Sequence, residues 1–290
     1  MTSSEAQTAS IREDRERGSA EAPPVVLVTR EGAVAIVTLN RPTARNAMSP
    51  EMMCRMADLF DELAADARVK SIVLTGSGDR AFCSGGDLNL TLPLLTGARA
   101  PSTEWDRRLM EDATILDRSS LRMEDFNKPV IAAVNGACLA GGFEILLATD
   151  IRIVAEHAIF GLPEVRHGLI PFAGALVRLP RQIPYCTAMQ LMLTGEPIDA
   201  PTALRLGLVN AVLPTAEVLP HAIALAQRIA DNGAVAVQRL KRTVQKASGA
   251  TLAEGFALED ESRRVVMATS DAREGPRAFI EKRAPRFIGR

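Results

Sequence analysis

Apolar residues fall into short runs through the first half of the chain and recur at helical spacing through the second. Two β-branched runs, Val25 to Thr29 and Ala33 to Leu39, flank Arg30-Glu31-Gly32, which predicts an opening hairpin with glycine at the turn. Ser49-Pro50-Glu51 then offers a capping serine and a proline at the first helical position. Met52, Met53, Met56, Leu59, Phe60 and Leu63 follow at helical spacing as far as Asp66, and their methionines read as core filler. Ser71 to Thr75, Pro129 to Val134, Ile151 to Ala155 and Ala158 to Gly161 read as buried strands. From Pro171 the pattern turns helical, over Ala173 to Leu179, Thr187 to Leu193, Pro201 to Arg205, Val218 to Ala230, Ala234 to Lys246, Leu252 to Thr269 and Glu274 to Arg283. Strands alternating with helices, then helices alone, predict an α/β core followed by a helical C-terminal part.

Residues 89 to 127 break this rhythm with Pro93, Pro101, a lone Trp105 and a charged helical stretch from Glu104 to Asp117. Such a segment suits either a lid or substrate wall, or a solvated surface helix, and the surface helix is the plainer expectation.

The chain has 290 residues and 47% hydrophobic content, enough for a sizeable core in one large or two smaller domains. Thirty-four basic residues against thirty-five acidic ones leave a net charge of −1, which argues against a general affinity for nucleic acid or anionic membrane. Cys54, Cys83, Cys138 and Cys186 lack metal-ligand or paired spacing, so free thiols in a reducing, cytoplasmic setting are expected. Residues 1–23 are polar and mix acids with arginines, which fits a disordered tail better than a targeting signal. No apolar run is long enough to span a membrane.

Candidate chemistry concentrates in Asn135-Gly136-Ala137-Cys138-Leu139-Ala140-Gly141-Gly142-Phe143-Glu144 and in Phe160-Gly161-Leu162-Pro163-Glu164. Bare glycines admit close backbone approach, and a helix starting there presents unsatisfied N–H groups with partial positive charge. One such donor, joined by a second from elsewhere, suits an oxyanion developing on a carbonyl, with Glu144 and Glu164 available for proton transfer. Taken alone, Glu144 also reads as a first-turn carboxylate answering the helix dipole, and Glu164 as a cap after Pro163. A second glycine-rich turn, Gly76-Ser77-Gly78 to Ser84-Gly85-Gly86-Asp87-Leu88, lacks the lysine of a phosphate loop and the spacing of a dinucleotide fingerprint. His157, His167 and His221 have no metal or triad spacing and read as surface or packing residues, and Asp87 as a brace for its loop.

Six segments in order resemble the crotonase family of enoyl-CoA hydratases and isomerases: Asn40-Arg41-Pro42 with Asn46-Ala47; Ala81-Phe82 with Gly85 and Asp87-Leu88; Asn135-Gly136 through Gly141-Gly142 and Glu144; Asp150-Ile151-Arg152; Phe160-Gly161 with Pro163-Glu164; and Glu274-Gly275 with Ala278-Phe279 and Glu281-Lys282-Arg283. The likeness runs from about Val25 to the C-terminus. It implies a spiral of repeated ββα units over residues 24–200 and a helical oligomerisation region over 201–290 that packs a homotrimer or a dimer of trimers. It also implies an acyl-CoA thioester substrate with no metal or separate cofactor.

Carried over residue by residue, the resemblance makes the backbone N–H groups of Ser84 and Gly141 the oxyanion hole. Glu144 then handles the water and Glu164 the proton at C2. Backbone of Thr43, Ala44 and Arg45 and of Gly86, Asp87 and Leu88 would line the CoA, and Phe279 and Lys282, from this chain or a neighbouring subunit, would meet its nucleotide end. Keeping both acids favours a hydratase. The ending from Glu274 through Arg283-Ala284-Pro285 also resembles carnitinyl-CoA dehydratases, and an enoyl-CoA isomerase or an idle CoA-ester or RNA binder are the further alternatives. Three departures stand out: Ala140 in place of a third glycine, Ser84 in place of an alanine, and Phe172 in the turn Pro171 to Ala175, where its ring is expected to narrow the acyl pocket.

Overall fold

The computed structural model describes residues 23–290, so the expected disordered tail lies, but for its last residue, outside the described residues. Strands β1 (Val26–Glu31) and β2 (Val34–Leu39) pair antiparallel in register from Val26 opposite Leu39 to Glu31 opposite Val34. The turn is therefore Gly32-Ala33, with Gly32 at φ 58° where an L side chain is strained. Helix α1 (Pro50–Ala65) begins where expected: Ser49 accepts from the Met52 N–H at 3.2 Å and Pro50 occupies the first turn. Its buried face carries Met52, Met53, Met56, Phe60 and Leu63.

Three successive windings follow, each giving one strand to a large sheet and one to a small sheet. They are β3 (Ser71–Gly76) with β4 (Ala81–Cys83), β5 (Val130–Val134) with β6 (Ala137–Leu139), and β7 (Ile151–Ala155) with β8 (Ile159–Gly161). The large sheet runs β1-β2-β3-β5-β7-β10, parallel except for its opening hairpin, and the small sheet runs β4-β6-β8-β9, with β9 Ile198–Asp199 and β10 Ala211–Leu213. This is the spiral that the resemblance implies.

Apart from its exposed edge strand β1, the large sheet is covered on both faces, which is why its inner strands are almost continuously apolar. Side chains alternate across it. Val34, Ile36, Val73, Ile131, Ala133, Ile153 and Ala155 face one way and pack against Val218, Ala222, Ala226 and Ala230. Ala35, Val37, Leu39, Ile72, Leu74, Val130, Ala132 and Val134 face the other way, into the core shared with α1 and the small sheet.

Between β4 and β5 lie α2 (Thr91–Leu95), α3 (Glu104–Glu111) and α4 (Thr114–Ser119). The expected helix from Glu104 to Asp117 breaks at Asp112, whose backbone is extended and whose carboxylate accepts from the Thr114 N–H at 2.9 Å. Short α5 (Gly141–Leu146) follows β6; α6 (Ala175–Gln182), α7 (Tyr185–Thr194), α8 (Ala200–Arg205) and α9 (Thr215–Ala230) come next. The expected boundary at residue 200 does not mark a break. Strand β10 pairs with β7, and α9 supplies the helical cover of the large sheet, so residues 201–230 are part of the core. The outlying helices are α10 (Ala234–Ala247), α11 (Leu252–Met267), which has no buried residue, and α12 (Asp271–Ile280).

Candidate active site

The small sheet brings the two glycine turns together. Strands β4 and β6 run parallel, with Ala81 opposite Ala137 and Cys83 opposite Cys138, so the residues that leave their C-terminal ends emerge side by side. Backbone contact there is close: a Cβ on Gly142 would lie 2.3 Å from the Cys83 carbonyl oxygen, which excludes any side chain. A Cβ on Gly141 would lie 3.8 Å from the Gly86 nitrogen, placing these two amides as neighbours. Two buried asparagines tie the turns down. Asn46 donates to the Ser77 and Ala81 carbonyls at 3.0 and 2.8 Å and accepts from the Arg41 N–H at 2.9 Å. Asn135 donates to the Gly78 carbonyl at 2.7 Å and accepts from the Gly76 N–H at 3.3 Å.

The pairing of Ser84 with Gly141 as donors needs correction. The Ser84 N–H donates to the Arg45 carbonyl at 3.2 Å, so it is already engaged within the loop. Strand-like bonds on either side of Gly86, from Met48 N–H to the Gly85 carbonyl at 2.8 Å and from Asp87 N–H to the Met48 carbonyl at 3.0 Å, leave the Gly86 amide without an acceptor among the described residues. Gly141 opens α5, where the first N–H groups have no acceptor within the helix. Gly86 and Gly141 are thus the adjacent amides open to a ligand, and both line one cavity. The spacing of glycines could not show which amide the Arg45 carbonyl would capture.

That cavity has a volume of 430 Å³. Glu144 and Glu164 both face it, on different elements and in opposite hydrogen-bonding states. Glu144, in the first turn of α5, is 2% exposed and accepts from the Ala173 and Ala175 N–H groups at 2.8 and 3.0 Å. Burial pushes its pKa up, and these amides together with the Arg178 charge oppose that rise. Glu164 sits in a tight helical turn over Pro163–His167, 8% exposed, and its Oε2 is buried without a hydrogen-bond partner. Burial first, and the Glu144 charge in addition, push its carboxyl up to about 7, against the pull of its own backbone N–H. Glu144 is the first-turn carboxylate of the plain reading but is gripped by a distant loop besides, and Glu164 leaves Oε2 free in the cavity.

The remaining expected residues divide. Ala44, Arg45, Gly86, Asp87 and Leu88 line the cavity, whereas Thr43 is exposed and does not. Asp87 braces its loop as expected, pairing with Arg41 at 2.9 Å and accepting from the Asn89 and Leu90 N–H groups. Phe279 and Lys282 are not brought to the cavity of their own chain; Phe279 is 85% exposed. His167 reaches the cavity rim from an exposed position, while His157 contacts the Asp79 carbonyl at 2.9 Å.

Of the two readings of residues 89–127, the plainer surface helix gives way to the wall: Leu92, Leu95, Leu116, Ser119 and Ser120 line the cavity. Phe172 lines the cavity but is 46% exposed, and its carbonyl accepts from Arg122 at 3.4 Å. Met48, missed in the sequence, places its methyl group 2.7 Å from the position a Cβ on Gly141 would take. Among the described residues no group of three His, Cys, Asp or Glu side chains could hold a metal ion.

The family model for enoyl-CoA hydratase/isomerase matches residues 29–290. Enoyl-CoA hydratase EchA19 of Mycobacterium tuberculosis is 40% identical over 270 residues, covering 93% of this chain and 98% of its own length. Carnitinyl-CoA dehydratase of Proteus mirabilis is 34% identical over 267 residues, covering 91% of this chain and 98% of its own. A crystal structure of enoyl-CoA hydratase from Bacillus anthracis matches with a TM-score of 0.83 at 34% identity, covering 92% of this chain and 100% of that one.

Proposed function

This chain belongs to the enoyl-CoA hydratase/isomerase family, and within it we propose that the protein adds water reversibly across the double bond of a 2-enoyl-CoA thioester. The observation that carries this reading is the pair of glutamates in one cavity, one anchored by amides and one bare. In the hydration direction Glu144 takes a proton from water as its oxygen bonds to C3. The C2–C3 π electrons move toward the carbonyl, and negative charge develops on the thioester oxygen. The Gly86 and Gly141 amides receive that charge, and one fixed donor of this kind typically contributes roughly 3 kcal/mol of transition-state stabilisation. Glu164, protonated below about 7, then delivers its proton to C2. Proton transfer by each carboxyl is typically worth roughly 10²- to 10⁴-fold.

The apolar lining supplied by Met53, Leu92, Leu95 and Leu116 supports an unsubstituted hydrocarbon acyl group over one bearing a charged terminus such as carnitine. Dehydration of a hydroxyacyl-CoA is the same step run backwards and needs no further group. We further propose a homotrimer or a dimer of trimers, supported by apolar side chains left uncovered among the described residues of α11 and α12, where Phe256, Phe279 and Ile280 are 62%, 85% and 78% exposed. In such an assembly Phe279 and Lys282 reach a neighbour's CoA. A cytoplasmic setting is supported by Cys54, Cys83 and Cys138, all buried free thiols. No described helix is long and apolar enough to cross a membrane, and the balanced charge offers no field for nucleic acid.

Incubation with crotonyl-CoA, a 3-enoyl-CoA and carnitinyl-CoA tests the assignment. Loss of the conjugated thioester absorbance with formation of 3-hydroxybutyryl-CoA supports it. Conversion of the 3-enoyl ester to the 2-enoyl ester without hydroxy product selects an isomerase, and turnover of carnitinyl-CoA alone selects the dehydratase.

A further inference from the structure

Arg178 lines a second cavity of 680 Å³, apart from the one that Glu144 faces. The Arg178 Nη2 donates to the Leu121 carbonyl at 2.8 Å, whereas its Nη1 is buried without a hydrogen-bond partner. The guanidinium lies against Gly174, where a Cβ would meet Nη1 at 2.8 Å and Cζ at 3.4 Å. Gly174, at φ 120°, separates the two residues whose amides grip Glu144, Ala173 and Ala175. A half-buried guanidinium with one buried, unpartnered nitrogen is costly unless a nearby charge compensates it.

The charges around it identify the compensation. Arg122, Arg152 and Lys241 repel it from other parts of the chain. Asp150 is bound by Lys241 at 2.8 Å, and Arg181 on the same helix donates to the Val177 carbonyl at 2.6 Å. The carboxylate whose field opposes that repulsion at Arg178 is Glu144, across the Gly174 turn. Glu144 faces Glu164 on its other side, with His167 at the cavity rim.

We propose that Arg178 is a positioning residue that keeps Glu144 in its anionic, water-activating form, both by its charge and by seating the turn that presents the Ala173 and Ala175 amides. The inference rests on the reading that Glu144 takes the proton from water.

The test is the pH dependence of kcat/KM for crotonyl-CoA hydration in wild type, Arg178→Gln, Arg178→Lys and Glu144→Gln, with melting curves for each. A neighbouring cation lowers a carboxyl pKa, and at Glu144 the Arg178 charge does so less than the amides. Arg178→Gln is therefore expected to move the acidic limb up by a fraction of a pH unit, with a loss of about twofold at pH 6 and a smaller loss at pH 8. Arg178→Lys, which keeps the charge, returns the limb to its wild-type position. A folded Arg178→Gln whose limb stays in place, with activity retained or lost uniformly with pH, overturns the role of Arg178 while a dead Glu144→Gln leaves the hydratase reading intact. Turnover retained in Glu144→Gln overturns both. Where Arg178→Gln does not fold, Arg178→Lys decides: a wild-type limb with activity retained supports the role, and a displaced limb overturns it.

Discussion

One carboxylate oxygen of Glu144 is held by two backbone amides, whereas Oε2 of Glu164, buried in the same cavity, is held by nothing. The contrast separates their protonation near neutral pH. Hydration requires Glu164 protonated, and its proton leaves around 7. The rate of hydration is therefore expected to fall as pH rises through that value, and dehydration of 3-hydroxybutyryl-CoA, which starts from the same total protonation of the two carboxyls, to fall with it. Because the two acids interact, the limbs belong to the pair. Profiles of kcat/KM in both directions check this; a rate that holds level as pH rises through 7 would contradict it.

The arrangement has a stability consequence. The Glu164 carboxyl is raised from an ordinary 4.5 to about 7 in the folded chain, so folding favours its protonated form. Its contribution is fully present below the unfolded value and is lost as pH rises through about 7. Glu164→Gln is expected to raise stability at pH 8 by on the order of 2 kcal/mol, allowing for partial solvent screening, with little gain at pH 4. Denaturant melts at the two pH values measure it.

At the oxyanion site the claim concerns an N–H group and not a side chain. A Cβ on Gly86 would make only ordinary contact with Leu92 at 3.6 Å. Gly86→Ala is expected to keep kcat within a few-fold, whereas Gly86→Pro, lacking the donor, loses about 10²- to 10³-fold in kcat. Ser84→Ala should be near neutral. Steady-state kinetics on crotonyl-CoA separate the three.

Ala140 adopts φ 49°, ψ −130°, a conformation suited to glycine, just before Gly141. Ala140→Gly is expected to relieve strain of about 1 kcal/mol, partly offset by unfolded-state entropy, and to raise the melting temperature by a few degrees without loss of activity. A lower melting temperature would show that the alanine is not strained.

How far the sequence could be read depended on the range of each signal. The opening hairpin, α1 and the long strands of the large sheet carry their own periodicity and turn residues, and they form within a residue or two of expectation. Strands β4 and β6 have three residues each, flanked by glycine and serine, too short for alternation to register. The placement of Glu144 and Gly141 at the start of a helix was legible because a glycine turn opening a helix is a local pattern. The donor at Gly86 was not, since the capture of the Ser84 amide by the Arg45 carbonyl joins segments distant in sequence. Leu116, Ser119 and Ser120 were likewise hidden, because only tertiary packing turns an amphipathic helix into a cavity wall.

The most direct test of a two-glutamate hydratase is the hydration rate of crotonyl-CoA for wild type, Glu144→Gln and Glu164→Gln at pH 6.5 to 7, with folding checked by melting curves. Loss of roughly 10²- to 10⁴-fold in kcat for each variant is the predicted result. Near wild-type turnover in either folded variant would contradict it and reduce the mechanism to a single acid.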